Sequence, residues 1–149
     1  MYRIVKDTLV GFKAVAAREI RRADVVFAAE RGRVSSQPSM HSIQVGVARH
    51  CDIAGDGRFL SHSETPNCVV RIEDGDLVRV EATTRISAGA DLAIDYNATE
   101  WELDAPFRDA ATGRECLGFK HLDDARKRDL ESRGMLPAHI LTLWRQASR

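Results

Sequence analysis

No apolar run in the sequence approaches the roughly 18 to 20 residues of a membrane-spanning helix. The N-terminal stretch MYRIVKDTLV carries charge where a secretory leader would have its apolar core. Cysteine is scarce: Cys51, Cys68 and Cys116 are odd in number and widely spaced. That pattern suits buried thiols in a reducing compartment, so the expected location is cytoplasmic. It also makes no zinc pattern by itself. Net charge is absent, with 22 Lys plus Arg against 22 Asp plus Glu. A dedicated nucleic-acid-binding domain normally carries a basic excess, so no sequence-specific nucleic acid and no membrane is expected as a partner. A hydrophobic content of 44% excludes a disordered chain, and 149 residues make one ordinary domain or one domain with a short appendage.

The charges that are present are unevenly placed. Residues 1–104 hold 13 basic and 16 acidic side chains, net −3, and residues 105–149 hold 9 and 6, net +3. The first part reads mainly as short strands. Candidates are Thr8–Ala16, Asp24–Ala28, Ser42–Ile53, Val69–Ala82 and Asp91–Tyr96. The clearest is VVRIE-DGD-LVRVEA, two alternating runs around Asp74-Gly75, a tight-turn dipeptide. The tail changes period. Leu122–Arg133 has helix formers behind a cap candidate, Asp123. Gly134 is a stop, Pro137 opens a second helix, and Ile140, Leu141, Leu143 and Trp144 give that helix an apolar face. The expected fold class is therefore mainly β, a β-rich α+β body with a short C-terminal helical tail. Alternating βα units are absent, which disfavours a doubly wound nucleotide-binding fold.

Two segments have compositions that neither a strand nor a helix requires. RFLSHSETPNC, Arg58–Cys68, gathers His, Ser, Thr, Pro and Asn into one turn-rich stretch, which by itself also describes a polar surface loop. AGADLAIDYN, Ala88–Asn97, runs from a turn into a strand candidate ending at Tyr96, a position where a half-buried core tyrosine is common.

Taken in order, GFKAVAAREI at residues 11–20, RFLSHSETPN at 58–67 and GADLAIDY at 89–96 resemble the motifs of the SET-domain protein lysine methyltransferases. Gly118-Phe119 resembles the Gly-Phe that closes small bacterial members. The resemblance implies several small curved sheets, in which the His-Ser loop and the Asp-Tyr strand form a pseudoknot. It implies S-adenosylmethionine as methyl donor and a lysine of a protein as acceptor, with a basic, histone-like protein as the candidate class. Tyr96 matches the catalytic tyrosine, whose hydroxyl positions the acceptor amine and the methyl group. Gly11, Phe12, Lys13, Ser61, His62, Tyr96 and Phe119 are the expected cofactor-binding residues. Residues 1–104 form the expected SET domain and residues 105–149 a helical tail. The alternative is a SET-fold module with impaired catalysis that holds a peptide or partner.

Three positions depart from the family's pattern. Lys13 replaces the second glycine of Gly-x-Gly, and Ser61 replaces an asparagine whose amide can both donate and accept. The zinc site of many relatives has no counterpart: Glu64 stands at its internal cysteine, and Pro106–Gly113 contains none. One soft ligand, Cys116, cannot hold tetrahedral zinc, so no metal is expected. The tail must then close by packing, with Phe107, Phe119 and Trp144 as candidate contacts. The insert from Glu30 to Asp52 is short, which leaves little chain for a sequence-specific groove. The acidic residues Glu64, Glu73, Asp74, Asp76 and Glu81 could favour a basic peptide.

Overall fold

The computed structural model describes residues 1–28, 32–53, 55–73 and 77–149. The turn expected at Asp74-Gly75 lies outside the described residues, as do Glu30 and Asp76. The chain begins with β1 (Tyr2–Asp7), β2 (Gly11–Ala16), β3 (Val25–Ala28), β4 (Val34–Ser35), β5 (Ser42–Gly46) and β6 (Arg49–Asp52). A 3-10 turn over Gly55–Phe59 leads to β7 (Ser61–His62), β8 (Cys68–Glu73), β9 (Leu77–Ala82) and β10 (Ala93–Ile94). Then follow α1 (Tyr96–Thr99), β11 (Phe107–Arg108), β12 (Glu115–Cys116), a 3-10 turn at Phe119–His121, α2 (Asp124–Ser132) and α3 (Ala138–Ala147). These strands make five small sheets of two or three strands each, the mainly β architecture that the composition and the motifs imply.

Two compact units result. The first comprises Met1–Arg31 and Ile53–Asp95. Its largest sheet has the order β3-β9-β8, antiparallel throughout. Period-2 alternation along β9 buries Val78, Val80 and Ala82 and turns Leu77, Arg79 and Glu81 outward. Arg79 bridges Glu73 and Glu81, each at 2.6 Å, so the polar face of the hairpin neutralises itself. β1 and β2 form a second hairpin from Tyr2↔Ala16 to Asp7↔Gly11. Its loop is shaped by Asp7, whose Oδ1 accepts from the amides of Leu9 (2.8 Å) and Val10 (3.1 Å). The chain then turns through Gly11 at φ +84°, which glycine adopts without a steric penalty.

The second unit comprises Gly32–Asp52 and Tyr96–Arg149. The expected strand region Ser42–Ile53 is two strands, because the chain reverses between Gly46 and Arg49. Gln44, buried on β5, ties this hairpin to the segment after α1. Its amide donates to Glu100 Oε1 (3.0 Å), and its side-chain oxygen accepts from the Trp101 amide (2.8 Å). The tail helices form where expected. Asp123 caps α2 by accepting from the Arg126 amide at 2.8 Å, and Gly134 at φ +66° ends it. Pro137 stands at the N-cap of α3. Leu130, Met135 and Ile140 lie in the core of this unit.

Candidate functional site

The central feature of the first unit is a parallel pair between segments far apart in sequence. β7 lies beside β10 with Ser61↔Ala93 and His62↔Ile94 in register. The Ser61 amide donates to Leu92 O (3.1 Å) and the Ser63 amide to Ile94 O (3.0 Å). Leu92 also donates its own amide to Ala14 O of β2 (2.9 Å). Residues 91–94 are thus flanked by the Ala14–Ala16 end of β2 and by the Ser61–His62 strand. Asn67 closes the loop between β7 and β8: Nδ2 donates to Asp91 O (2.8 Å), and Oδ1 accepts from the Ala93 amide (3.0 Å). This is the pseudoknot pairing that the resemblance implies.

His62 turns its ring inward, with Nδ1 3.8 Å from Asp95 Oδ1 and both side chains buried. Its imidazole is placed in the interior, so the backbone of the loop is what it offers outward. Lys13 does not point along the strand face. Its ammonium lies 3.2 Å from Asp7 Oδ2 and 3.0 Å from Asp91 Oδ1. Those two carboxylates raise its pKa, Asp91 most, and keep it charged. Phe12 is exposed and packs at 5.9 Å on Phe59, whose ring also carries the Arg58 guanidinium at 4.8 Å.

The second unit holds Tyr96 and Phe119. Tyr96 opens helix α1, where a strand end was expected. The Ile94 carbonyl is the last to accept a ladder bond, and the Tyr96 carbonyl accepts from the Glu100 amide (3.0 Å) and from Thr99 Oγ1 (3.3 Å). Burial first, and the neighbouring Cys116 second, push its phenol up to about 12. Phe107 meets the Tyr96 ring edge-on at 5.9 Å. Asn97, wholly buried and not singled out by its sequence, ties this helix to the tail. Its Oδ1 accepts from the Gly118 amide (3.0 Å) and lies 3.5 Å from Cys116 Sγ. Phe119 has no solvent-accessible surface; it packs against Trp101 (6.0 Å) and Trp144 (5.3 Å), with Lys127 Nζ 5.6 Å from its ring centre. Tyr96 and Phe119 are therefore brought together through Asn97 and Gly118. Among the described residues no group of three or more His, Cys, Asp or Glu is placed to hold a metal ion.

The SET domain family model matches residues 11–97, more than half of the chain. A curated relative, the methyltransferase flvH of Aspergillus flavus, is 26% identical over 102 residues. That match covers 68% of this chain but only 57% of the relative's length. Among solved structures, a Plasmodium falciparum protein described as a histone methyltransferase has a TM-score of 0.57 at 18% identity. It covers 68% of this chain and 96% of its own. CpSET8 from Cryptosporidium has a TM-score of 0.53 at 20% identity, covering 64% of this chain and 56% of its own. At these identities the two structures speak for the fold alone. With the motif order, the β7–β10 pairing and the family match over residues 11–97, the chain belongs to the SET domain family.

Proposed function

We propose that this protein transfers a methyl group from S-adenosylmethionine to a lysine side chain of a protein, a basic, histone-like one being the substrate class that its acidic first part favours. The observation that carries the reading is Tyr96, a half-buried phenol two residues beyond β10 in the sequence, which matches the family's catalytic tyrosine by its motif.

The residues of β2 suit the cofactor. Gly11 has φ +84°, and no described atom lies within 4 Å of where a Cβ would stand, so the backbone is open to close approach. Lys13 is drawn aside by Asp7 and Asp91, so the side chain that replaces the family's second glycine is held away by its ion pairs. Phe12 offers an exposed aromatic face, and the backbone of Ser61-His62 offers polar groups towards adenine. When bound, the cofactor supplies an activated methyl group on a sulfonium centre.

The chain's own residues supply alignment and electrostatics, which are the main needs of an in-line displacement. The acceptor lysine must be neutral, and deprotonating it at pH 7 costs on the order of 4–5 kcal/mol. Apolar surroundings lower that cost. Tyr96 is a phenol held neutral, so it orients the amine through its hydroxyl and is not a strong base. The three buried thiols suit a reducing cytoplasm.

The experiment is transfer of labelled methyl from S-adenosylmethionine to a mixture of basic proteins, with calorimetry of the cofactor alone. Binding and transfer are expected, with transfer lost in Tyr96→Phe. Absence of binding at millimolar cofactor overturns the reading. Full activity of Tyr96→Phe would remove the tyrosine from its role.

A further inference from the structure

We infer that the hairpin β11–β12 is a clasp that fixes the ring of Tyr96, with Asp109 as its positioning residue. The inference rests on the methyl-transfer reading for its catalytic consequence, but not for its structural one.

The hairpin has only two residue pairs, Phe107↔Cys116 and Arg108↔Glu115. So short a ladder is not stable alone. Its loop is organised chiefly by one side chain, that of Asp109. Asp109 Oδ1 accepts from the Ala111 amide (2.9 Å), and Oδ2 accepts from Thr112 Oγ1 (3.3 Å). The Asp109 amide donates to Arg114 O (2.8 Å), and its carbonyl accepts from the Gly113 amide (2.7 Å). Residues 104–115 are otherwise exposed, yet Asp109 is only 9% accessible. A buried carboxylate with this many partners is costly to remove, because the donors it serves are left without acceptors.

Each strand of the hairpin holds the helix of Tyr96 at a different point. β11 delivers Phe107 edge-on to the Tyr96 ring. β12 ends at Cys116, whose Sγ lies 3.5 Å from Oδ1 of Asn97, the next residue after Tyr96. The aromatic contact and the amide contact thus grip adjacent residues of α1 from the two strands of one hairpin. Asp109 keeps those strands together and so sets where the Tyr96 ring can lie, although it is not itself at the reacting atoms.

Ring-selective labelling of tyrosine tests this directly, because the chain has two tyrosines, Tyr2 and Tyr96, and gives two NMR signals. Asp109→Ala is expected to shift and broaden the Tyr96 signal and leave that of Tyr2 in place. Phe107→Leu should do the same. Asp109→Asn keeps the Oδ1 acceptor and should shift it less. In the transfer assay Asp109→Ala should lower kcat about tenfold or more, since small misplacements of an aligning group are expensive. Cofactor affinity by calorimetry should stay within about twofold, which separates loss of alignment from general loosening. Partial rescue of kcat by Asp109→Asn is also expected. If Asp109→Ala does not fold, Asp109→Asn and Thr112→Val carry the comparison. A Tyr96 signal unmoved by both Asp109 and Phe107 substitutions overturns the clasp. A wild-type chain that binds no cofactor overturns the methyl-transfer reading instead, and the tyrosine spectra still decide the clasp.

Discussion

Asn67 spans Asp91 and Ala93 with the two ends of its amide group, donating to the Asp91 carbonyl and accepting from the Ala93 amide. No other side chain type of this length both donates and accepts with that spacing except by protonation. The β7–β10 pairing is only two residues long, so this side chain supplies a large share of its polar contacts.

Asn67→Ala should destabilise the fold by about 2 kcal/mol, most of it from the buried Ala93 amide left with only the weak Cys68 thiol as acceptor. Urea unfolding followed by tryptophan fluorescence measures this. A change below about 0.5 kcal/mol would show that water replaces the side chain at no cost.

Gly118→Ala should be far worse than its small volume suggests. A Cβ there would stand 2.6 Å from Trp101 O and 2.7 Å from Glu102 Cα, both backbone atoms, at φ +113°. The expected loss is about 3 kcal/mol or more, from strain and displaced backbone together. Gly134→Ala is the control: its φ is +66° but no described atom crowds it, so the loss should be about 1 kcal/mol.

Glu100 gives a pH signature. Burial pushes its carboxyl up to about 7, above an unfolded value of about 4.3. The folded state therefore prefers the protonated form. That stability is fully present below pH 4 and is lost as pH rises through 7. Glu100→Gln removes the titration and keeps the acceptor for the Gln44 amide. Its stability relative to wild type should rise by on the order of 2 kcal/mol between pH 4.5 and 7.5, by denaturant titration at each pH. His139 moves the other way. Burial lowers its pKa, so its contribution is lost as pH falls below the ordinary histidine range. His139→Gln should flatten the acid side of the same curve.

The pH–rate profile bears on Tyr96. With its phenol pushed up to about 12, it stays neutral throughout the usable range. Under the proposed lysine methyl transfer the rate should climb as the acceptor amine loses its proton, with no descending limb near pH 10. A limb there would mean that the tyrosine is far better solvated than its packing against Phe107 implies.

Much of the fold was legible because it rests on local chemistry. The alternation of Val78 and Val80, the Asp123 cap and the Gly134 stop all act within a few residues. β1 was hidden because Arg3 on one side and Lys6 and Asp7 on the other leave only Ile4 and Val5 between them, too short an apolar run to mark it. The helical start at Tyr96 was missed for a different reason. DLAIDY alternates Leu92, Ile94 and Tyr96 in the period of a strand, and what ends the strand is the loss of a pairing partner after Ile94. The motif residues could be named in advance, but not the supports behind them. Asn97 and Asp109 are ordinary polar residues in sequence, and only the contacts they make across 21 and 5 residues give them weight.

The parallel pairing of β7 with β10 also constrains how the chain acquires its structure. Its partners are about thirty residues apart, and closing a loop of that size costs entropy before any contact repays it. The hairpins β1–β2 and β8–β9 need no such closure and can form early. During synthesis the Ser61–Asn67 loop waits for Asp91–Ile94 to leave the ribosome. Slow refolding, with hairpin signals preceding the shielding of the Ala93 amide, is the kinetic trace that this order leaves.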